Sequence, residues 1–118
     1  MSNFYKLFDN VTVAANSNAT SDAITLGYNH RKHSLYYVIT GDGTAKIEYL
    51  ASPDGENYVL MSTAIAEDKT KSTGEQSDGK HFDELDMVPC GAVKFKVTET
   101  GKSNTITVTM LLCYRLWD

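Results

Sequence analysis

The sequence has few of the residues that mark several familiar classes of protein. It contains only 2 prolines, 2 cysteines and 1 tryptophan in 118 residues. Two cysteines are too few for a disulfide scaffold, and no apolar run approaches the ~20 residues that a membrane-spanning helix requires. A formal net charge of -4 argues against a nucleic-acid-binding protein. The composition therefore indicates a globular protein without disulfide staples, a membrane span or a nucleic-acid partner.

The N-terminal ten residues lack the charged start and apolar core of a secretory signal peptide. The sequence therefore shows no sign of a secretory signal. Cys90 and Cys113 are predicted to be buried free thiols, and a disulfide bridge across two sheets is the alternative.

The 118 residues fall in the size range of a single domain, and alternation of polar and apolar residues identifies its strands. In Thr105–Tyr114 every second residue is large and apolar, whereas the residues between them are mostly threonine. Gly91–Glu99 alternates in the same way, and the turn-forming residues 100–104 join the two segments. Such alternation is typical of strands that bury one face.

Turn-forming residues divide the rest of the chain into further strands. Gly41–Gly43 separates Leu35–Thr40 from Thr44–Ser52, and Pro53–Asn57 precedes the strand Tyr58–Ile65. Shorter strands are predicted at 11–15, 23–27 and 82–88. Because no segment sustains a helical period, we predict an all-β protein. Its fold would be one antiparallel, jelly-roll-like β-sandwich of about eight strands that spans residues 1–118.

Two segments fall outside this pattern. Residues 1–10 are predicted to form an apolar N-terminal arm, and residues 66–80 a long polar loop. Glu67–Lys80 has no large apolar side chain, and residues 51–100 hold five basic and ten acidic side chains. Because long loops are uncommon unless they are mobile or functional, we predict that a neighbouring subunit contacts and orders this loop.

Catalytic and metal-binding patterns are sparse. The sequence has no Walker loop, no Gly-x-Ser-x-Gly and no His-Glu-x-x-His motif, so we expect neither an enzyme nor a cofactor or metal. His30, His33 and His81 have the chemistry of metal ligands. Arg31 and Lys32 lie between the first two and would repel a cation, so a solvated loop or a contact with an acidic partner is the simpler interpretation.

Two further sets of side chains have both a functional and a structural interpretation. Asp83, Glu84 and Asp86 resemble paired carboxylates, but they alternate with apolar residues, which indicates an exposed strand edge. The aromatic residues that could form a sugar-stacking platform are Tyr36, Tyr37, Tyr49, Tyr58 and Trp117. Such residues more often fill a sandwich core or an interface.

The segment Ile39–Tyr58 is similar to a module of the small β-sandwich virion proteins of tailed bacteriophages. In those proteins a glycine-rich turn leads into a strand and then into a Ser-x-Asp-Gly-x-Asn/aromatic turn. Here the matching residues are Gly41-Asp42-Gly43 and Ser52-Pro53-Asp54-Gly55-Glu56-Asn57. Pro89–Glu99 and Thr105–Tyr114 resemble later strands of the same group.

The resemblance implies a non-enzymatic structural role in the virion, as a capsid decoration (cement) protein or as a neck or tail component. We expect a decoration protein that is made in the host bacterial cytoplasm and assembles in multiple copies on the particle. Its partners would be itself and other virion proteins. The alternative is a carbohydrate- or ligand-binding module of an adhesin or receptor-binding tip, which would display a concave row of surface aromatic side chains.

The candidate partner-binding residues are Phe4, Tyr5, Leu7 and Phe8. These four large apolar side chains lie within five positions, ahead of the first regular strand. Burying each is worth roughly 1.5–3 kcal/mol, which favours a docked arm over a free one. The arm could add an edge strand to its own sandwich. We predict instead that it docks on a neighbouring subunit or on the shell by strand addition.

Overall fold

The computed structural model describes residues 2–27 and 30–116, and within them the chain forms ten β-strands and no helix. The strands are β1 (Ser2–Val13), β2 (Asn18–Thr20), β3 (Ile24–Thr25), β4 (His30–Gly41), β5 (Ala45–Ser52), β6 (Val59–Leu60), β7 (Ala66–Lys69), β8 (Lys80–Leu85), β9 (Ala92–Glu99) and β10 (Ile106–Leu116). Accordingly, the part of the chain that is described offers no helix of the length and apolarity needed to cross a membrane.

The strands pair antiparallel in two sheets. The first sheet has the order β1-β10-β4-β8. In the second sheet β9 and β5 lie in the middle, β2 and β3 follow one another along β9, and β6 and β7 follow one another along β5. Each pair of short strands occupies one strand position, so each sheet of the sandwich is four strand positions wide. This arrangement is that of an eight-stranded jelly roll and confirms the predicted fold class.

The core lies between the two sheets and is built mainly by alternate residues of the central strands. The fully buried apolar side chains, with 0% exposure, are Leu35, Tyr37, Ile39, Ala45, Ile47, Val93, Phe95, Val97, Ile106, Val108, Met110 and Leu112. All of them belong to β4, β5, β9 and β10. The alternation in the sequence therefore marks the strands that hold the sandwich together.

Residues 2–10 of the predicted N-terminal arm are instead part of β1, an edge strand that pairs along β10. Register shifts between Lys6 and Phe8 and between Phe8 and Val11 mark bulges in this strand. Because of these shifts, the inward residues of β1 are not evenly spaced. The sequence therefore shows no regular alternation before residue 11. The structure supports the alternative in which this segment adds an edge strand to its own sandwich.

The predicted polar loop is shorter than residues 66–80, because β7 occupies Ala66–Lys69 and β8 begins at Lys80. β7 is an edge strand of the second sheet, and Ala66 is its one buried residue. That residue is 8% exposed, whereas Glu67 and Asp68 face solvent. A strand with one small inward residue has no alternation that the sequence could reveal. The predicted strand Tyr58–Ile65 is also shorter, since only Val59–Leu60 is assigned to β6.

The remaining loop, residues 70–79, is held by its own domain. The Gly79 N–H donates to the Thr73 carbonyl oxygen at 2.8 Å, and the Gly79 carbonyl accepts from the Ile39 N–H at 3.0 Å. Gly79 has a φ of 81°, a conformation that residues with a Cβ rarely adopt. These bonds tie the loop to its own domain, and its contact with a neighbouring subunit stays a prediction.

One buried carboxylate joins three turns at one end of the sandwich. Glu99 ends β9 and is 0% exposed. Its Oε1 accepts the backbone N–H groups of Asn16 and Lys102 at 2.9 and 2.8 Å, and its Oε2 accepts those of Thr44 and Gly101 at 2.9 and 2.7 Å. These bonds, led by the one from Thr44, hold the pKa of Glu99 at about 2, below its usual 4.5.

We expect Glu99→Ala to lower the free energy of unfolding by about 3 kcal/mol or more, because four backbone donors lose a charged acceptor. Acetate should restore part of this loss, because its methyl group and carboxylate match the CH2 group and carboxylate that the substitution removes. It stabilises the protein if it binds only the folded state. Urea denaturation in acetate and in chloride of equal ionic strength measures both effects. The control is Glu56→Ala in an exposed turn. Equal losses in the two variants, or no preference for acetate, would contradict this role.

Stability should also depend on pH through Glu99. The pKa of its carboxyl group is about 2 in the folded protein and near 4.5 when unfolded, so unfolding takes up a proton between these values. The stabilisation is complete above the higher pKa. It is lost as the pH falls towards the lower one, with a slope of up to about 1.4 kcal/mol per pH unit. Denaturation of wild type and Glu99→Gln across this range should show a shallower slope in the variant, and identical slopes would refute the assignment.

Candidate functional site

The four predicted partner-binding residues divide between the core and the surface. Phe8 is 4% exposed and belongs to the core, and Tyr5 and Leu7 are half-buried against it. Phe4 pairs with Cys113 of β10 on the outer side of the first sheet and is 60% exposed. Among the four, Phe4 alone is therefore placed to contact a partner while the sandwich stays packed.

The tyrosines do not form a shared surface row. Tyr37 and Tyr49 are buried in the core. Tyr36 lies on the outer side of the first sheet, whereas Tyr58 lies in the turn that follows β5 of the second sheet. Trp117 lies outside the described residues. Tyr36, Tyr37, Tyr49 and Tyr58 therefore do not form the concave platform that a sugar-binding module would need.

The histidines are separated along the first sheet. His33 on β4 and His81 on β8 lie four register positions apart. Burial, reinforced by the charge of Lys69, lowers the pKa of His81, whose ring stacks on Tyr37 with 4.6 Å between centroids. Across residues 2–27 and 30–116, no three His, Cys, Asp or Glu side chains are grouped closely enough to hold a metal ion. The side chain of His30 lies outside the described part.

The three carboxylates near β8 do not all face one site. Asp83 and Glu84 are consecutive residues of this edge strand, so they point to opposite faces. Asp83, Glu84 and Asp86 are all exposed, which agrees with the strand-edge interpretation. Burial raises the pKa of the Tyr37 hydroxyl, and the negative charge of Asp83 raises it further, so this hydroxyl stays protonated.

Cys90 and Cys113 are free and half-buried rather than fully buried as predicted. Cys113 faces outward from β10, and Cys90 lies just before β9, not within a strand. Burial raises the pKa of both thiols, so neither is activated as a nucleophile.

Titration of the denatured, non-reduced protein with a thiol reagent should therefore find two free thiols. Two cysteines that do not meet in the fold cannot form an intramolecular bridge without backbone movement. A count of zero in a monomeric sample, as verified by its mass, would contradict the arrangement.

The outer side of the first sheet carries several adjoining apolar side chains. The register aligns Leu111 with Tyr36 and Tyr36 with Phe82, so one apolar row crosses β10, β4 and β8. Phe82 is 65% exposed and meets Tyr36 edge to face at 6.1 Å between centroids. We call this surface the apolar face; its residues are Phe4, Tyr36, Val38, Phe82, Leu111 and Cys113.

The apolar face is bordered by cations. Among the described residues, the exposed charged side chains on the outer side of its strands are Lys6, Lys32, Lys80, Arg115, Glu84 and Asp9, and Asp9 lies 3.9 Å from Lys6. Four cations against two carboxylates contrast with the formal net charge of -4 for the whole chain. Contiguous apolar side chains with a polar border are typical of protein-binding surfaces.

A depression of about 310 Å³ lies beside the opposite edge of this sheet, where the segment after β6 meets the end of β8. Met61, Ile65 and Leu85 supply apolar lining, and the exposed residues Glu84 and Asp86 supply carboxylates. We call this depression the socket. It combines apolar walls with two carboxylates, of which Glu84 also stands in the border of the apolar face, beside Lys32.

Sequence reasoning missed Val38, Leu111 and Phe82 as surface residues. The available signal was an apolar residue at a position that alternation assigns to the outer face, such as Leu111 among the threonines of β10. Such residues become a patch only when four strands are aligned, and the alignment depends on register.

No protein-family model and no curated protein matches the sequence. The fold is similar to that of VP2 in the infectious bursal disease virus subviral particle, with a TM-score of 0.66 and 10% identity over 98% of this chain and 33% of that chain. A structure of the Gx strain of this virus has a TM-score of 0.61 and 9% identity, over 96% of this chain and 32% of that chain.

A third similar structure is the dimeric latent form of PorU from Porphyromonas gingivalis. Its TM-score is 0.53 with 9% identity, over 96% of this chain and 12% of that chain. This chain thus spans about a third or less of the length of these three proteins. At such low identity the likeness shows a shared fold, and the fold occurs in viral and bacterial proteins alike.

Proposed function

We propose that the protein is a non-enzymatic structural component of a virus particle, specifically a decoration (cement) protein of a bacteriophage capsid. It would be made in the host bacterial cytoplasm and assemble in multiple copies, with itself and other virion proteins as partners. The observation that carries the proposal is the apolar face with its cationic border, because this surface is built to bind protein rather than to perform chemistry.

Two further observations support a particle rather than another protein-binding role. The jelly roll is similar to the fold of VP2 in a viral particle, and the turn motifs of Ile39–Tyr58 resemble those of phage virion proteins. In the structure, the Ser52 and Asp54 side chains accept backbone N–H groups of residues 54–57. The motif therefore shapes a turn. A fold alone does not fix a function, so the face remains the main support.

The chemistry of the face also indicates its partner. Lys6, Lys32, Lys80 and Arg115 outnumber Glu84 and Asp9, so an acidic protein surface with apolar side chains at its centre would match the face in both respects. We assign the centre of the face, at Tyr36, Leu111 and Phe82, to the shell of a capsid.

A ligand-binding module is the weaker candidate, because Tyr36, Tyr37, Tyr49 and Tyr58 are split between the core and two separate surfaces. A neck or tail component would use the same protein-binding face and differs only in its place on the particle. Copy number separates that candidate from decoration.

The test is to locate the chain in purified virions by quantitative mass spectrometry and immunogold labelling. A copy number comparable with that of the shell protein, with label over the whole capsid, is the expected result. A small fixed number at one vertex would assign the chain to the neck or tail. Absence from purified virions would overturn the proposal.

A matched pair of variants tests the face itself. Leu111→Ser places a hydroxyl on the outer side of β10, and Leu50→Ser does the same on β5 of the second sheet; both leucines are half-buried on central strands. Leu111→Ser should lower the affinity for undecorated capsids by about tenfold or more, and Leu50→Ser should leave it unchanged. Equal effects would show that the apolar face is not the binding surface.

A further inference from the structure

The two edges of the first sheet carry complementary features. On the β1 side, Phe4 is 60% exposed. Phe4 pairs with Cys113 of β10, so Arg115, two residues further along β10, lies at the same end of the sheet. Lys6 follows Phe4 by two residues along β1. We call Phe4, Lys6 and Arg115, which lie at the β1 margin of the apolar face, the knob. It is an exposed aromatic ring flanked by two cations, of which Lys6 lies 3.9 Å from the Asp9 carboxylate.

On the β8 side, the socket offers the converse. Met61, Ile65 and Leu85 line a depression large enough for an aromatic ring, and the exposed carboxylates of Glu84 and Asp86 stand in its lining. Knob and socket lie on opposite edges of one sheet, since the strand order places β1 at one end and β8 at the other. A chain therefore cannot fill its own socket with its own knob while the sheet is intact.

Like surfaces of two copies would repel. Two knobs would bring cations together, and two sockets would bring carboxylates together, so a symmetric pair through either surface is disfavoured. Knob against socket brings two cations to two carboxylates and covers an exposed aromatic ring. Contacts between unlike surfaces of identical chains propagate, closing into a ring or continuing as a row.

We propose that copies of this chain associate side by side, with the Phe4 knob of one copy seated in the socket of the next. The bound partner is a second copy of the chain. This contact deepens the proposed function by naming the interface between neighbouring copies, and it rests on that proposal only for its place on a particle.

The experiment uses two double variants of the full chain. Phe4→Ser/Lys6→Glu removes the knob and leaves the socket, whereas Glu84→Lys/Asp86→Lys inverts the socket and leaves the knob. Sedimentation velocity over a range of concentrations should show a series of oligomers for wild type. Each variant alone should associate at least about tenfold more weakly.

Mixing the two variants is the decisive step. The intact knob of one and the intact socket of the other allow a single contact, so the mixture should form 1:1 dimers and nothing larger. Raising the salt towards about 1 M, where the Debye length falls to about 3 Å, should weaken wild-type association. A mixture that stays monomeric, or a variant that still associates like wild type, would overturn the proposal.

Matched controls separate the contact from general charge effects. Val59→Ser/Lys96→Glu removes an exposed apolar residue and inverts a cation on the second sheet, and Asp22→Lys/Glu56→Lys inverts two exposed carboxylates away from the socket. Both controls should associate like wild type. Equal losses in controls and variants would show that net charge, not knob and socket, governs association.

The outcomes also separate this inference from the proposed function. A wild-type chain that remains monomeric at all concentrations and salt levels would refute the knob-and-socket contact, yet it could still bind a capsid through the apolar face. Oligomers with the predicted mixing behaviour, together with absence from virions, would refute the virion role and leave the contact established.

Discussion

The Glu99 carboxylate is the constraint on which one whole end of the sandwich depends. Three turns converge on it through four backbone N–H groups, and no cation is needed because the amide dipoles balance the charge. The geometry also restricts the turns: a Cβ on Gly43 or Gly101 would lie 3.0 or 2.9 Å from Oε2. Since a buried interaction fixes both sheets here, the outer faces are not required to stabilise this end.

Alternation in the sequence was sufficient to predict β9, β10, β4 and β5, because these central strands bury one face along most of their length. It failed where the sheet is irregular or one-sided. β1 carries two bulges, and β7 buries a single alanine. Glu99 was also missed, because it looks like one more polar position in an alternating strand. Only the meeting of three distant turns reveals that it is buried.

The candidate surface was harder to predict than the fold. Phe4 and Leu111 are about as far apart in the chain as its length allows, and they share a face only because β1 pairs with β10. Likewise, Leu85 meets Met61 and Ile65 in the socket across two sheets. The sequence shows which side chains are apolar and which are charged. Which of them lie next to each other depends on the register and on the order of the strands in the sheet.

The edges of the first sheet explain why a side-chain contact between copies is favoured over strand addition. Exposed edges can pair with any other strand, and proteins protect them with bulges and charges. β1 carries bulges around Phe8, with Asn10 at a φ of 56°, and β8 carries Asp83 and Glu84 at its open edge. A contact through an aromatic ring and flanking charges selects one partner surface, whereas backbone pairing at an open edge accepts any strand. Copies could therefore adjoin in one register without forming a continuous sheet.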